Sequence, residues 1–297
     1  MKKKVGELII LMTKTLLECC RNKKEAQSEG WWLLEKLTEK KQAELIGHEE
    51  VELSSDQEQT LATWLVQRTK EHKPLQYILG FAPFCGLEIL VKPPILIPRP
   101  ETEEWCSWLI KRLNPVRHEQ LKILDIGAGS GCIALTLAQA LPNTDVIGVD
   151  IHPDALKLCE KNKTHNKIEN VTFLESDLYE AFKETGQKFD LIVSNPPYIS
   201  EPEFVTLSKD VTKWEDKSAL VANEDGYAMH RRIIQDAIGH LKQDSLLKEH
   251  DLPQIVIEIG KGQEDKVKDL LEQAGFCNSK VYKDLEGVNR WVTGNLK

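Results

Sequence analysis

From residue 101 onward the chain alternates between two hydrophobic periods, and few architectures accommodate such a pattern. Apolar strand-like runs at 121–126, 145–150, 171–175, 189–194 and 254–259 are separated by helical stretches near 101–113, 132–141, 153–165, 226–242 and 263–274. Parallel neighbours in a sheet need a long crossover, usually a helix, so the alternation predicts a parallel sheet covered on both faces. Ligands of such sheets bind at the carboxyl ends of the strands. Further strands near 279–283 and 289–293 are expected to add an antiparallel pair at one edge. The expected fold class is therefore α/β, a Rossmann-like, seven-stranded, mostly parallel sheet.

The first 72 residues read differently. Leu8, Leu11, Leu16 and Trp31, Leu34, Leu37 recur at helical spacings, and "SSDQEQTLATWLVQR" opens a third helix with Ser55 and Glu58 at capping-box distance. Trp31, Trp32 and Trp64 are expected to fill a small bundle of three short helices. Residues 74–100, "PLQYILGFAPFCGLEILVKPPILIPRP", carry Gly80, Pro83, Gly86 and Pro93-Pro94 between short apolar runs, as a hairpin and linker would. The expected organisation is a helical domain at 1–73, a β-hairpin linker at 74–100 and the α/β domain at 101–297.

Composition narrows the class of partner. Lys and Arg total 39 against 47 Asp and Glu, a net charge of −8, which argues against a surface built to neutralise many phosphates. Seven cysteines without a C-x-x-C pair predict reduced thiols in a cytoplasmic protein, and the eight histidines show no metal-ligand spacing, so no metal is expected. The basic start followed by an apolar run imitates a secretory leader, but Glu7 and Lys14 interrupt it, and an amphipathic helix is expected there.

"LKILDIGAGSGCIALTLAQAL" is a strand, a glycine turn and a helix. Gly127, Gly129 and Gly131 permit a tight turn and close approach of a ligand to the backbone at a helix start. The third glycine follows the second by two positions rather than three, so the turn departs from the dinucleotide fingerprint. Asp150 ends the next strand, where a carboxylate can accept from both hydroxyls of a ribose. Asp177, after the third strand, is placed to accept from an adenine amino group, with Leu178 against the ring. Each piece alone has a plainer reading: packing for the glycines, a helix cap for Asp177. In order on successive strands they resemble the site of class I S-adenosylmethionine-dependent methyltransferases. That resemblance implies that Gly127, Ala128, Gly129, Ser130 and Gly131 take the methionine end of the cofactor, and that Asp125 organises the turn.

The fourth strand ends in Asn195-Pro196-Pro197-Tyr198. An amide nitrogen is a poor nucleophile because its lone pair is delocalised, and two fixed acceptors can orient its protons and free that pair. The Asn195 side-chain oxygen and the Pro196 carbonyl are such acceptors; consecutive prolines hold the carbonyl still, and Tyr198 can pack over a planar group. A plain strand-end turn is the competing reading. The motif resembles that of methyltransferases acting on planar –NH2 groups, either exocyclic base amines or a glutamine carboxamide.

"PLQYILG" at 74–80 and "ILIPRPETEE" at 95–104 closely resemble the signature of the peptide chain release factor N5-glutamine methyltransferases, the PrmC/HemK family, as do "EDGYAMHRRII", "IEIGKGQ" and "LEGVNRWV" further on. The resemblance covers nearly the whole chain. It implies cofactor contacts from Gly127 through Gly131, Asp150, Leu178 and Asn195, and a catalytic and glutamine-holding role for Asn195, Pro196, Pro197 and Tyr198. Arg99 and Glu101, with Thr102 and Glu103, are expected to close over the substrate, unless they are simply a proline-bounded helix start. The implied partners are release factors gripped by the helical domain, acted on by a monomer, with neither a membrane nor a stable nucleic-acid partner. Three departures stand out: Leu178 occupies a place where the family commonly has an aromatic ring, "WEDKSAL" lacks the usual Glu-Pro, and "LKQDSLLKEHDLPQ" replaces a short glycine turn. The alternatives are a nucleic-acid amino methyltransferase with the same chemistry on a flipped base, for which the basic stretches "RNKK" and "RTKEHK" are short, and a non-catalytic adapter.

Overall fold

The computed structural model describes residues 2–297. It divides into two compact units: one runs to Gly80 and also takes in Ser208–Trp214, and the other comprises Phe81–Leu207 and Glu215–Lys297.

The first unit contains the helices Val5–Leu16, Lys23–Thr38, Gln42–His48, Ser55–Thr69, Leu75–Leu79 and Lys209–Trp214, and a two-stranded antiparallel sheet of β1 (Lys2–Lys4) and β2 (Glu50–Glu52). It is thus richer than the three helices expected. The extra helices are too short to show a full hydrophobic period, and β1 has no apolar alternation at all. Its lysines alternate in register with acids of β2, Lys2 opposite Glu52 and Lys4 opposite Glu50. The capping box also shifts by one residue. Ser54, not Ser55, caps the fourth helix, because Gln57 both closes the box and donates to the Leu37 carbonyl, whereas Glu58 pairs with Lys3. Nor do the tryptophans fill the bundle: Trp31 and Trp64 are only half-buried and Trp32 is exposed. Leucine, alanine and methionine do that work, with Leu8, Met12, Leu16, Ala26, Leu33 and Leu34 buried, while Leu11 and Ile10 face outward at 61% and 70% exposure.

One ion pair lies inside this unit. Arg68 grips both oxygens of Glu29 at 2.8 Å each, with side-chain exposures of only 7% and 10%. The Glu29 carboxylate is one of a group with Cys19 and Cys20, and the guanidinium already occupies its acceptors. Replacing Arg68 with Leu strands a buried carboxylate, and is expected to destabilise the unit by about 3–5 kcal/mol. Denaturant unfolding, with hydrogen exchange localising the loss to the helical residues, measures this; stability within about 1 kcal/mol of the parent would contradict it.

The second unit opens with a hairpin of β3 (Phe81–Phe84) and β4 (Leu87–Leu90), followed by the helix Pro100–Leu113. Seven strands then form one sheet: β5 (Lys122–Ile126), β6 (Asp145–Asp150), β7 (Val171–Glu175), β8 (Leu191–Ser194), β9 (Ile255–Glu258), β10 (Phe276–Lys283) and β11 (Asn289–Leu296). Their spatial order is β7, β6, β5, β8, β9, β11, β10; β5 to β9 pair in parallel, and β11 is antiparallel to both its neighbours. The final pair therefore sits at one edge as expected, with both strands longer than the sequence pattern suggested. The central strands are apolar on both faces because helices cover both, and Leu124, Ile126, Ile192, Ile255 and Ile257 are buried in one core cluster.

The order of the strands decides where a ligand can enter. From β5 the chain builds outward to β6 and β7, then returns to place β8 on the other side of β5. Crossovers on the two sides leave a crevice at the carboxyl ends of β5 and β8, the switch point of the sheet. The glycine turn follows β5 directly and Asn195 follows β8 directly, and their preceding residues Ile126 and Ser194 are register partners.

Candidate active site

The glycine turn is built by backbone hydrogen bonds. Gly127 and Ala128 N–H both donate to the Val149 carbonyl at 2.9 Å, and Gly131 N–H donates to the Ala128 carbonyl at 2.7 Å. The conformation requires positive φ at Gly127, Gly129 and Gly131 (74°, 57° and 82°), and a Cβ at Gly127 would project into open space, where a ligand has room to approach the backbone. Ala128 and Ser130 are buried beneath the turn. Asn162, unnoticed in the sequence, ties the turn to the hairpin: its Nδ2 donates to the carbonyls of Ser130 (2.9 Å) and Leu90 (3.0 Å).

Two carboxylates stand beside this turn. Asp150 accepts from Gly129 N–H at 2.8 Å and from His152 N–H at 2.9 Å. Asp125 is fully buried; its Oδ2 accepts from Ala134 N–H at 3.1 Å, in the first turn of the helix Cys132–Ala140, while Oδ1 has no hydrogen-bond partner. A buried orphan carboxylate oxygen under an open glycine cradle suits a ligand carrying an ammonium group, so these residues fit the methionine end of S-adenosylmethionine.

Burial pushes the Asp125 carboxyl up from 3.8 to about 7. At Asp125 the folded chain thus keeps a proton that the unfolded chain releases, so the contribution of this group to stability falls as pH rises from about 4 to about 7. Asp125→Asn, neutral and nearly isosteric, is expected to remove the Asp125 contribution to that slope. Thermal unfolding of both proteins from pH 4 to 8 tests it: the variant gains on the parent with rising pH, and parallel curves would refute the assignment.

The adenine-side expectations land differently. Asp177 is exposed and its carboxylate binds Arg232 at 2.8 Å, while Leu178 is buried in the same core cluster as Leu124 and Ile126, with φ 53°. Ile151, directly after Asp150, is a large apolar side chain left 53% exposed at the same sheet end, and no spacing rule singled it out.

Across the crevice, the Asn195–Tyr198 bend is braced from three sides. Ser194 Oγ donates to the Ile126 carbonyl at 2.8 Å, joining the two strand ends. Gln263 Nε2 donates to the Tyr198 carbonyl at 2.9 Å, and Gln263 Oε1 accepts from Gly260 N–H at 2.8 Å. Gly226 leaves no room behind the bend: a Cβ there would lie 2.3 Å from the Tyr198 carbonyl oxygen. "EDGYAMHRRII" and "IEIGKGQ" are therefore the supports of the proline bend.

The Arg99–Glu103 segment starts the helix Pro100–Leu113 and is tied down on every side. Arg99 pairs with the buried Glu215, Glu103 accepts from Cys85 N–H at 2.7 Å in the hairpin, and Glu101 lies 3.8 Å from Arg290. Thr102 is buried; its hydroxyl donates to Glu258 Oε2 at 2.6 Å and accepts from Asn195 Nδ2 at 3.0 Å. Glu258, at the end of β9, also accepts from Trp105 Nε1 at 2.8 Å and Tyr198 Oη at 3.3 Å. Its position was legible in principle: an acid closing an apolar strand, "IVIEIG", repeats the pattern of Asp125 and Asp150.

A glycine turn and a proline bend on adjacent parallel strand ends of this seven-stranded sheet define a class I S-adenosylmethionine-dependent methyltransferase. A family model described as a methyltransferase domain matches residues 117–275, and the hMettl16 catalytic domain shares the fold at a TM-score of 0.55, with 15% identity over 82% of this chain and 83% of that one. A second model, the PrmC N-terminal domain, matches residues 13–80 and ends where the helical unit ends. Among relatives, the release factor glutamine methyltransferase of Flavobacterium psychrophilum is 36% identical over 93% of this chain and 94% of its own length. Those of Bacillus anthracis (38%; 83% and 84%) and Salmonella typhimurium (37%; 89% and 90%) are similar. The chain belongs to the release factor glutamine methyltransferase family.

Proposed function

We propose that this protein transfers a methyl group from S-adenosylmethionine to the side-chain amide nitrogen of the glutamine in the Gly-Gly-Gln loop of peptide chain release factors. The observation that carries the reading is the pairing of the glycine turn with Asn195-Pro196-Pro197-Tyr198 across the β5/β8 switch point. When bound, the cofactor supplies an electrophilic methyl group on a sulfonium. Gly127, Ala128, Gly129, Ser130 and Gly131 hold its methionine end with Asp125 beneath, and Asp150 accepts from the ribose. Asp177 reaches the adenine edge only by sharing its carboxylate with Arg232, and Leu178 supports the ring from the core side.

Asn195 Oδ1 and the Pro196 carbonyl accept the two protons of the glutamine carboxamide, turning its nitrogen lone pair toward the methyl donor, and Tyr198 covers the planar group. Orientation and exclusion of water supply most of the acceleration. A strong base is unnecessary, because the nitrogen becomes acidic once alkylated and releases one of its protons to solvent, leaving a neutral N-methyl carboxamide. Arg99 and Glu101 line the substrate side through their pairs with Glu215 and Arg290. Residues 1–73 grip the release factor, 74–100 link, and 101–297 carry the chemistry. The enzyme acts in the cytoplasm as a monomer without a stable nucleic-acid partner; no helix among the described residues is long and apolar enough to cross a membrane.

Labelled S-adenosylmethionine offered with a release factor, with the same factor lacking the loop glutamine, and with DNA or ribosomal RNA tests the reading. Label is expected on the intact factor alone. Label on nucleic acid and none on the factor would transfer the enzyme to the nucleic-acid amino methyltransferases.

A further inference from the structure

An asparagine amide can sit in its site either way round, and only one way presents an oxygen to the substrate. What selects it here lies behind Asn195. Glu258 is 1% exposed and accepts from Thr102 Oγ1 at 2.6 Å and Trp105 Nε1 at 2.8 Å on Oε2, and from Tyr198 Oη at 3.3 Å on Oε1. Its backbone carbonyl accepts from His230 Nε2 at 2.9 Å, and burial keeps that imidazole neutral by lowering its pKa. Burial raises the Glu258 carboxyl above its ordinary range, while the Thr102, Trp105 and Tyr198 donors oppose the rise. Trp105 Nε1 can only donate, and the 2.6 Å Thr102 contact has the length of a hydroxyl bond to a charged acceptor, so Oε2 acts as a carboxylate oxygen.

The Thr102 hydroxyl has a single proton, and the 2.6 Å bond commits it to Glu258. Toward Asn195 the hydroxyl then has only lone pairs. It must accept, and the asparagine must present Nδ2 to it, as the 3.0 Å contact records. The opposite face of the amide, Oδ1, is left for the substrate.

We infer that Glu258 and Thr102 are positioning residues, a two-bond relay that sets the orientation of the Asn195 amide so that its oxygen meets the glutamine carboxamide. The inference rests on the methyl-transfer reading of Asn195 but concerns residues that touch neither cofactor nor substrate. Tyr198 shares the same carboxylate, so one buried charge fixes both ends of the proline bend.

The test compares Thr102→Val, which keeps the shape and removes the acceptor, with Thr102→Ser, which restores it. Thr102→Val is expected to lower kcat about 10- to 100-fold while KM for the release factor and affinity for S-adenosylmethionine stay near the parent values, and to lower Tm by a few degrees because Glu258 loses a donor; Thr102→Ser recovers most of the rate and of the Tm. Glu258→Leu should resemble Thr102→Val, because the freed hydroxyl can then donate to Asn195 Oδ1 and turn the amide over. If that variant does not fold, the threonine pair decides alone.

A second readout needs no turnover. In the isolated protein, the Asn195 side-chain NH2 resonance, assigned by its loss in Asn195→Ala, should be dispersed in the parent and in Thr102→Ser and move to solvent-like shifts in Thr102→Val. Parent-like kcat and an unmoved resonance in Thr102→Val would overturn the relay. So would equal losses of rate and Tm in both threonine variants, which would mark a purely structural role. Absence of methyl transfer by the parent itself, with the resonance shift intact, would instead refute the proposed reaction and leave the relay standing.

Discussion

Asn195→Ala is expected to lower methyl transfer to a release factor at least about 100-fold while leaving S-adenosylmethionine affinity within about threefold. The asparagine oxygen is one of two acceptors that orient the glutamine nitrogen; with the Pro196 carbonyl alone, the carboxamide rotates and the reactive geometry is rarely reached. Cofactor affinity is spared because the glycine turn and Asp150 are held by their own bonds, Gly127 to Val149 and Gly129 to Asp150, none of which passes through Asn195. Initial rates with labelled cofactor and calorimetric binding separate the two effects. A variant that still turns over within about tenfold of the parent would remove Asn195 from the mechanism.

Gly226→Ala should be nearly as damaging, although Gly226 is given no contact with either reactant. Its φ of +92° is strained for any L side chain, and the added Cβ would lie 2.3 Å from the Tyr198 carbonyl oxygen and 2.8 Å from Gln263 Nε2. The first of these is backbone, so the bend itself must move, and the Gln263 bond to Tyr198 is broken with it. A displacement near 1 Å at the proline bend is worth about 100-fold in rate. Gly239→Ala is the matched control: a Cβ there meets nothing within 4 Å inside the helix Ala228–His240, so the change should be stabilising by about 0.5–1 kcal/mol with activity intact. Rates and thermal unfolding of the two variants side by side check both expectations; an active Gly226→Ala would show that the bend tolerates movement.

Much of this was legible before any coordinates. The strands at 121–126, 145–150 and 171–175 match β5, β6 and β7 within a residue, because apolar runs punctuated by turn residues report local backbone preference. The glycine turn was readable for the same reason, since positive φ is a property of single residues. The helical unit was less so. The capping box read at Ser55 and Glu58 forms one residue earlier, at Ser54 and Gln57, where the long-range contact from Gln57 to Leu37 holds it. The tryptophans misled because a large apolar residue at helical spacing need not face the core: Leu33 and Leu34 took the interior and left Trp32 outside.

The sequence by itself determined the alternation of strand and helix, the two bends that end β5 and β8, and the chemistry available at each, since all of these depend on residues within a few positions of one another. Only the tertiary structure decided what stands behind the bends. Thr102 reaches Glu258 across 156 positions and Asn195 across 93, and Gln263 reaches Tyr198 across 65. Contacts so distant in the chain leave no periodic trace, because they exist only once the sheet has brought β8, β9 and the helix at Pro100–Leu113 together around one buried carboxylate.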